Sequence, residues 1–149
     1  MDRTDARILQ RVQRDSSLSL NELADAVGLS PSACHRRVKL LEKSGVISGY
    51  AARLDRMALG LTIQAFVEIS LTSQSEESLT AFEEAVTRTD EILECHLMTG
   101  SRDILLKIAT SDLTAFDEFL ENSLLRVEGI RSTRTSFSLR SMVNREVAP

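Results

Sequence analysis

Basic side chains cluster in one short stretch of the sequence, residues 30–43, which reads SPSACHRRVKLLEK. At about 100° of rotation per residue, a helix here places most of its cations opposite Cys34, Val38 and Leu41. Cationic side chains bind DNA phosphates, and small polar residues at a helix N-terminus can reach base edges in the major groove. The stretch therefore predicts a DNA recognition helix.

We expect Ser32 and Arg36 to contact bases, with His35 as a further candidate, and the basic side chains after them to hold phosphates together with the first backbone amides. The predicted DNA-binding residues are Ser30, Ser32, Ala33, His35, Arg36, Arg37, Lys39 and Lys43. The alternative for any basic helix is a charged face that only meets water. The elements before it favour DNA, because they form a matching partner helix.

Residues typical of helix ends predict where the partner helix begins and ends. Ser19 and Glu22 form a capping box, and Gly28 can end the helix in the left-handed conformation. Ser30 is then the predicted N-cap of the basic helix, with Pro31 at its first position. The apolar face of the partner helix is predicted to be Leu20, Leu23, Ala24 and Val27. Two short helices joined by a Gly-containing turn predict a helix-turn-helix.

Further elements complete this domain. Thr4 is the predicted N-cap of a first helix, whose apolar stripe contains Ile8, Leu9 and Val12. After Gly45 the segment GVISGYAARLD is rich in Val, Ile and Tyr and predicts a short strand, or wing. The sequence thus predicts a winged helix-turn-helix domain.

From Thr62 the apolar period changes to two, which predicts a strand. Five further segments follow it with alternating helical and strand periodicity, and the predicted elements are strand 62–71, helix 75–88, strand 92–99, strand 103–109, helix 112–124 and strand 130–142. Leu113, Phe116 and Leu120 are the predicted buried residues of the second of these helices. The order is βαββαβ, so the fold class is α+β with a ferredoxin-like second domain.

In that arrangement both helices cover one face of the sheet and leave the other bare. A mixed, partly apolar bare face suits a partner subunit, so we predict dimerisation through it. The residues predicted on the bare face are Phe66, Glu68, His96, Met98, Arg134 and Ser136.

We predict a helix-turn-helix DNA-binding domain at 1–49, a wing strand and linker at 50–61, a ferredoxin-like dimerisation and effector domain at 62–142, and a tail at 143–149. The net charge of the 149-residue chain is −4, but residues 1–56 carry 10 Lys+Arg and 7 Asp+Glu, whereas residues 57–149 carry 8 and 15. The basic part suits DNA.

No apolar run approaches the roughly 20 residues that span a bilayer, and no signal peptide begins the chain, so we expect a cytoplasmic, nucleoid-associated protein with no membrane partner.

A second candidate site is the turn Thr99-Gly100-Ser101-Arg102-Asp103. Exposed backbone N–H groups there could bind a carboxylate and Asp103 could bind an ammonium, and an amino acid carries both groups. The alternative is an ordinary hairpin turn that uses Gly for positive φ and Asp for local hydrogen bonds. The sequence alone leaves both interpretations open.

The sequence offers nothing for catalysis or metal binding. It contains no Gly-rich phosphate loop, no G-x-S-x-G elbow and no H-E-x-x-H motif. The pairs Cys34-His35 and Cys95-His96 lie on separate elements with no further ligands nearby. We therefore predict no catalytic residue, no metal site, no cofactor and no enzyme activity.

Several segments together carry a family resemblance. They are Asp5-x-x-Ile8-Leu9, Leu23-Ala24, Val27 to Tyr50, Leu59-Gly60, Leu93-Glu94-Cys95, Thr99-Gly100-x-x-Asp103 and Gly129-Ile130 with Thr133 to Ser136. On these segments the chain resembles the Lrp/AsnC, or feast/famine, family of transcriptional regulators over essentially its whole length. The resemblance implies a DNA-binding regulator that dimerises through its C-terminal domain and assembles further into tetramers or octamers. It also implies an effector, usually an amino acid, bound between subunits near the loop joining the second and third strands of that domain.

In this sequence that loop gives the effector-binding candidates Met98, Thr99, Gly100, Ser101, Arg102 and Asp103. The usual loop of the family reads Gly-Asp-aromatic-Asp, whereas here Ser101 replaces the first acid and Arg102 the aromatic. The loop loses a carboxylate and gains a guanidinium, which could favour a ligand with an extra acidic group or could abolish binding. The sequence does not identify the effector.

Two other functions compete with a regulator. One is a ligand-independent architectural protein that organises DNA. The other is a decarboxylase of the siroheme type, which shares the two-domain fold but needs a large macrocycle pocket. The intact basic helix argues against the enzyme.

Overall fold

The computed structural model describes residues 1–144, and the chain divides into a unit built on Met1–Arg53 and a unit of Leu54–Met142. The division falls inside the segment predicted as the linker, 50–61. Of the predicted tail, 143–149, residues 145–149 lie outside the described residues.

The first unit contains three helices, α1 (Arg3–Arg14), α2 (Leu20–Val27) and α3 (Pro31–Lys43). Each contributes apolar side chains to one shared core. The buried residues of that core are Ile8, Leu23, Ala24, Val27, Cys34 and Leu41. The helix-turn-helix is confirmed, with the predicted apolar face of α3 turned into the core. Leu20 is the exception on α2, since it is 38% exposed at the first helical position.

The caps of α2 and α3 are those expected. Ser19 and Glu22 form the capping box, and Gly28 is left-handed with φ of 71°. Ser30 caps α3 by accepting a hydrogen bond from the backbone N–H of Ala33 at 3.3 Å. These contacts lie within four residues in sequence, so local chemistry decides them.

The cap of α1 differs from the prediction. The N-cap is Asp2 and not Thr4, because the Asp2 carboxylate accepts the backbone N–H groups of both Thr4 and Asp5 at 2.8 Å. The Asp5 carboxylate in turn accepts the backbone N–H of Asp2 at 3.1 Å. This second capping box starts the helix two residues earlier than Thr4 would.

The strand predicted after Gly45 does not form, since no strand lies between Lys43 and Ile63 in the described chain. Ile47 instead packs against the core of the first unit, and its backbone N–H donates to Leu41 O at 3.1 Å. The Tyr50 hydroxyl donates to Glu42 at 3.0 Å. A strand needs a neighbour to satisfy its backbone, and this unit offers none.

The second unit has the predicted βαββαβ order. Its elements are β1 (Ile63–Leu71), α4 (Glu76–Thr87), β2 (Ile92–Leu97), β3 (Ile104–Thr110), α5 (Leu113–Asn122) and β4 (Ile130–Phe137). The four strands form one antiparallel sheet in the order β2-β3-β1-β4, and a short 3₁₀ turn, Leu124–Arg126, follows α5. β2 and β4 end earlier than predicted, by two and five residues.

One face of the sheet packs against the two helices. The residues buried together there are Ala65, Val67, Ile69, Leu71, Phe82, Val86, Ile104, Leu106, Ile108, Phe116, Phe119 and Leu124. Leu113 was predicted to belong to this core and does not, since it is 58% exposed. As the first residue of α5 it precedes the turn that reaches the sheet, and Phe119 is buried instead.

The opposite face carries ion pairs around a small apolar patch. Phe66 lies between Lys107 and Ser136 in the strand register, and both Phe66 and Leu105 are half-buried. Arg134 pairs with Glu68 at 3.1 Å, across β1 and β4. The other ion pairs of this face join Glu94 to Lys107 at 2.7 Å and to His96 at 3.2 Å. In the described chain no helix covers these side chains.

Candidate nucleic-acid interface and effector site

The N-terminus of α3 presents small polar groups to solvent. Ser30 is occupied as the N-cap, and its hydroxyl lies 3.3 Å from that of Ser32. Ser32 is exposed and Ala33 is half-buried. The first backbone amides of α3 therefore border an open surface where the positive end of the helix dipole favours an anion.

The basic residues of α3 fall into two groups. His35, Arg36, Lys39 and Lys43 are all exposed. Lys39 pairs with Glu42 at 2.8 Å along the helix, and this hydrogen bond is the main cause of the lowered pKa of the Glu42 carboxyl. Within residues 1–144, Arg36 and Lys43 have no ion-pair partner. These two cations are the ones left open to an external anion.

Arg37 stands apart from the predicted phosphate contacts. Its guanidinium lies 2.7 Å from both Asp2 and Asp5, at the start of α1. The hydrogen bond with Asp5 and then that with Asp2 raise the pKa of Arg37. The pKa of Asp2 is lowered, first by the backbone hydrogen bond from Asp5 and next by Arg37. Arg37 is therefore engaged inside the domain.

Leu40 is a residue of this surface that the sequence argument missed. It is 58% exposed and lies four residues after Arg36, on the same side of α3. An exposed apolar side chain between two cations suits the methyl group of a thymine. Its spacing from Arg36 is the signal that could have found it.

The hairpin turn after β2 is held by its own hydrogen bonds. Met98 N–H donates to Asp103 O at 2.8 Å, and Gly100 has φ of 124°. The Asp103 carboxylate accepts the backbone N–H of Leu71 at 2.7 Å and also the side-chain amide of Gln74. Asp103 thus has the structural role that the ordinary hairpin interpretation requires.

A small cleft of about 120 Å³ lies against this turn. Its lining residues are Glu68, Met98, Thr99, Ser101, Arg102, Ile104 and Leu105. Four of the six predicted effector residues meet here, whereas Gly100 and Asp103 do not line it. Pockets for small molecules usually have about 300–1,000 Å³, so this cleft is smaller than a typical ligand pocket.

Two charged groups of opposite sign line this cleft. The Arg102 guanidinium donates to the hydroxyls of Ser70 at 3.1 Å and Ser132 at 3.0 Å, which turns it along the bare sheet face. Glu68 lies on the same face and is bonded to Arg134. The sequence argument placed Glu68 on the bare face but missed its position at the loop, which follows from strand register.

A larger cavity of about 450 Å³ lies elsewhere in the second unit, lined from α4, α5 and the segment after α5. Its walls include Val86, Ile92, Phe119 and Leu124, with Arg126 among the polar residues. No predicted site residue borders it. Arg126 and Glu128 give the larger cavity charges of both signs as well, so the smaller cleft is favoured only because four predicted effector residues line it.

The His, Cys, Asp and Glu side chains of the described residues are not clustered for metal binding. No group of three or more His, Cys, Asp or Glu side chains is placed to hold a metal ion in residues 1–144. Burial raises the pKa of the Cys34 thiol, and desolvation together with Glu83 raises that of Cys95. None of the helices in this part of the chain has the length and apolar character to cross a membrane.

Comparison with known families matches both halves of the chain. Residues 1–48 match a winged helix-turn-helix DNA-binding model, and residues 64–148 match the Lrp/AsnC ligand binding domain. The leucine-responsive regulatory protein of Klebsiella pneumoniae is 42% identical over 135 residues, which cover 91% of this chain and 82% of that protein. The Bkd operon transcriptional regulator of Pseudomonas aeruginosa is 37% identical over 149 residues, which cover 100% and 97%.

Solved structures of regulators of the same family resemble this chain over its whole length. A transcriptional regulator of Neisseria meningitidis, crystallised as a complex with L-Met, has a TM-score of 0.95 and 35% identity, with 100% of this chain and 96% of that chain covered. An AsnC family transcriptional regulator of Agrobacterium tumefaciens has a TM-score of 0.94 and 35% identity, with 100% and 97% covered. The fold and both domain types are thereby shown.

The ion pairs of Arg37 predict a pH-dependent stability. Replacing Arg37 by Gln should raise the pKa of Asp2 toward its ordinary value, though not fully, because the backbone hydrogen bond from Asp5 remains. A carboxyl whose pKa is lowered by folding stabilises the protein above its unfolded pKa of about 3.9 and loses that effect as pH falls through the folded pKa. Arg37→Gln should therefore lower the melting temperature at pH 7 and not at pH 2. Arg36→Gln is the matched control, and an equal pH-dependent loss there would contradict the assignment.

Proposed function

This chain belongs to the Lrp/AsnC family of DNA-binding transcriptional regulators, and we propose that it binds operator DNA through α3 and responds to an amino acid at the β2–β3 turn. The observation that carries the proposal is the surface of α3. It presents Arg36 and Lys43 to solvent without an ion-pair partner in the described chain, beside a capped and open helix N-terminus.

We assign the residues of α3 to two kinds of contact. Ser32, His35 and Arg36 are proposed to contact base edges in the major groove, with Leu40 beside them. Lys39, Lys43 and the first amides of the helix, next to Ser30 and Ala33, are proposed to hold phosphates. Arg37 leaves this set, because its bonds to Asp2 and Asp5 support a role in fixing α1 against α3.

The DNA contacts can be tested on sites selected by the wild-type protein from a random-sequence duplex library. Arg36→Ala should weaken binding to a selected site by about 1–3 kcal/mol and relax its sequence preference. Lys43→Ala should weaken binding to all sequences alike and reduce the slope of log K against log salt by about 0.9 for each lost contact. An Arg36→Ala variant that keeps both affinity and preference would contradict the base-contact role.

We further propose that the protein associates with itself through the bare sheet face. The half-buried Phe66 and Leu105 form an apolar centre there, and ion pairs such as Glu68–Arg134 surround it. An apolar centre with a polar rim is typical of subunit interfaces. Dimers would also give the two copies of α3 that paired half-sites require. We propose further assembly into tetramers or octamers, as the family resemblance implies.

Sedimentation at micromolar concentration tests this interface. Phe66→Glu should convert the protein to monomer, because it buries an unpaired charge at the interface centre. Leu113→Glu introduces the same change on the exposed start of α5, on the other side of the sheet, and should leave the assembly unchanged. A monomeric wild-type protein, or equal dissociation by both variants, would contradict the proposal.

We propose an apolar amino acid as the effector. The Arg102 guanidinium suits its carboxylate, Glu68 suits its ammonium, and Met98, Ile104 and Leu105 offer an apolar wall. The cleft of about 120 Å³ in one chain is too small to enclose an amino acid, which supports a site completed by a second subunit. The Neisseria relative was crystallised with L-Met, and the Klebsiella relative is named for leucine, so these two amino acids are the first candidates.

Thermal unfolding with each of the twenty amino acids tests the effector. A ligand at about 100 times its Kd should stabilise the wild-type protein by about 2.7 kcal/mol. Arg102→Met and Glu68→Gln should each abolish the shift. Arg126→Gln, at the larger cavity, should not. A loss of the shift with Arg126→Gln alone would move the site to that cavity.

A ligand-independent architectural protein is the second candidate function. It is favoured by one observation, namely that the Arg102 guanidinium already bonds to Ser70 and Ser132. DNA footprinting distinguishes the two candidate functions, because phased half-sites indicate a regulator and uniform coverage indicates an architectural protein. We propose that the protein is associated with the nucleoid in the cytoplasm. We also propose that it has no catalytic role, since the relatives described above are regulators.

A further inference from the structure

Helix α1 carries a second basic surface, in addition to that of α3. The arginine stripe is defined by Arg3, Arg7, Arg11 and Arg14. All four residues are exposed. At about 100° per residue their directions fall within about 80° of one another, and the centre of the stripe lies about 140° from the direction of Val12, which packs against the core.

No acid of the same domain forms an ion pair with the stripe in residues 1–144. The two carboxylates of α1's first turn, Asp2 and Asp5, are both bound by Arg37 from α3. Asp15, just after α1, accepts hydrogen bonds from its neighbour Ser17. Farther along, Glu22 closes the capping box of α2 and Glu42 pairs with Lys39. Within residues 1–144 none of the four arginines of the stripe has an ion-pair partner.

The same ion pairs indicate which way the stripe faces. Because Arg37 of α3 holds Asp2 and Asp5, the first turn of α1 lies beside the recognition helix. The Asp5 carboxylate that Arg37 holds points about 160° away from the centre of the stripe, so the stripe lies on the face of α1 turned away from this contact and extends along it for about 16 Å at about 1.5 Å per residue. Duplex DNA carries about one negative charge per 1.7 Å of its axis, so a length like this faces many phosphates.

We propose that the arginine stripe of α1 binds the phosphate backbone of DNA as a second surface, in addition to α3. This inference rests on the DNA-binding function proposed above. A merely solvated face is the ordinary explanation for basic residues on a helix. Here Asp2, Asp5 and Glu42 are already paired with other cations, and the stripe lies in the same domain as the helix that we assign to DNA. Four exposed guanidinium groups in one row, none with an ion-pair partner in the described chain, favour a polyanion such as the phosphate backbone.

Fluorescence anisotropy on a labelled random-sequence duplex of about 40 base pairs tests the proposal across salt concentrations from about 50 to about 200 mM, where phosphate contacts govern affinity. The full-length double variant Arg7→Gln/Arg11→Gln should reduce the slope of log K against log salt by about 1.8 for each protomer that engages DNA. Its affinity near 0.1 M salt should fall roughly 10- to 100-fold. Arg7→Lys/Arg11→Lys, which keeps the charges, should restore most of the slope.

The matched control is Arg88→Gln/Arg126→Gln, which removes the same charge from exposed positions of the second unit. It should leave the slope unchanged. The proposal is overturned if the α1 variant keeps the wild-type slope, or if the control loses as much. If the wild-type protein does not bind the duplex, the DNA-binding proposal fails together with this one. If the wild-type protein binds and the α1 variant keeps its slope, only the arginine-stripe proposal fails.

Discussion

The bonds between Arg37 and the two carboxylates at the start of α1 determine how the N-terminal unit distributes its charge. One guanidinium holds Asp2 and Asp5 at 2.7 Å, and the same two carboxylates close the capping box of α1. Helix start, helix packing and charge compensation therefore depend on one cluster. Because the cluster binds both acids at the start of α1, the four arginines of α1, together with Arg36 and Lys43 of α3, have no ion-pair partner in residues 1–144.

The C-terminal unit is organised by the alternation of β1. Side chains at odd positions from Ala65 to Leu71 enter the core under α4 and α5, and those at even positions form the bare face. A shift of one residue would exchange the two sets, so the register is fixed by burial. That register also brings Glu68 beside the β2–β3 turn, where the proposed effector cleft lies.

Much of this could be predicted from sequence, because the decisive contacts are local. Caps such as Ser30 and turns such as Gly28 involve residues a few positions apart, and the periods of α3 and β1 report their buried faces directly. Pairings between distant residues could not be predicted. Arg37 meets acids 32 and 35 residues away, and nothing in its own neighbourhood distinguishes it from Arg36.

The remaining differences have similar physical causes. Ile47 and Tyr50 have strand propensity but no strand partner in the unit, so they pack and bond against α3 instead. Leu113 has the right spacing for the core but stands at the first residue of α5, before the helix reaches the sheet. The position of Glu68 at the turn depends on cross-strand register, which local patterns do not encode.

The carboxylate of Asp103 has a mechanical meaning beyond its role in the turn. It ties the β2–β3 hairpin to Leu71, at the end of β1, and to Gln74, just before the N-cap of α4. The hairpin is therefore no independent flap. Displacing this turn therefore requires either the loss of these two hydrogen bonds or a joint movement of the end of β1 and the segment before α4.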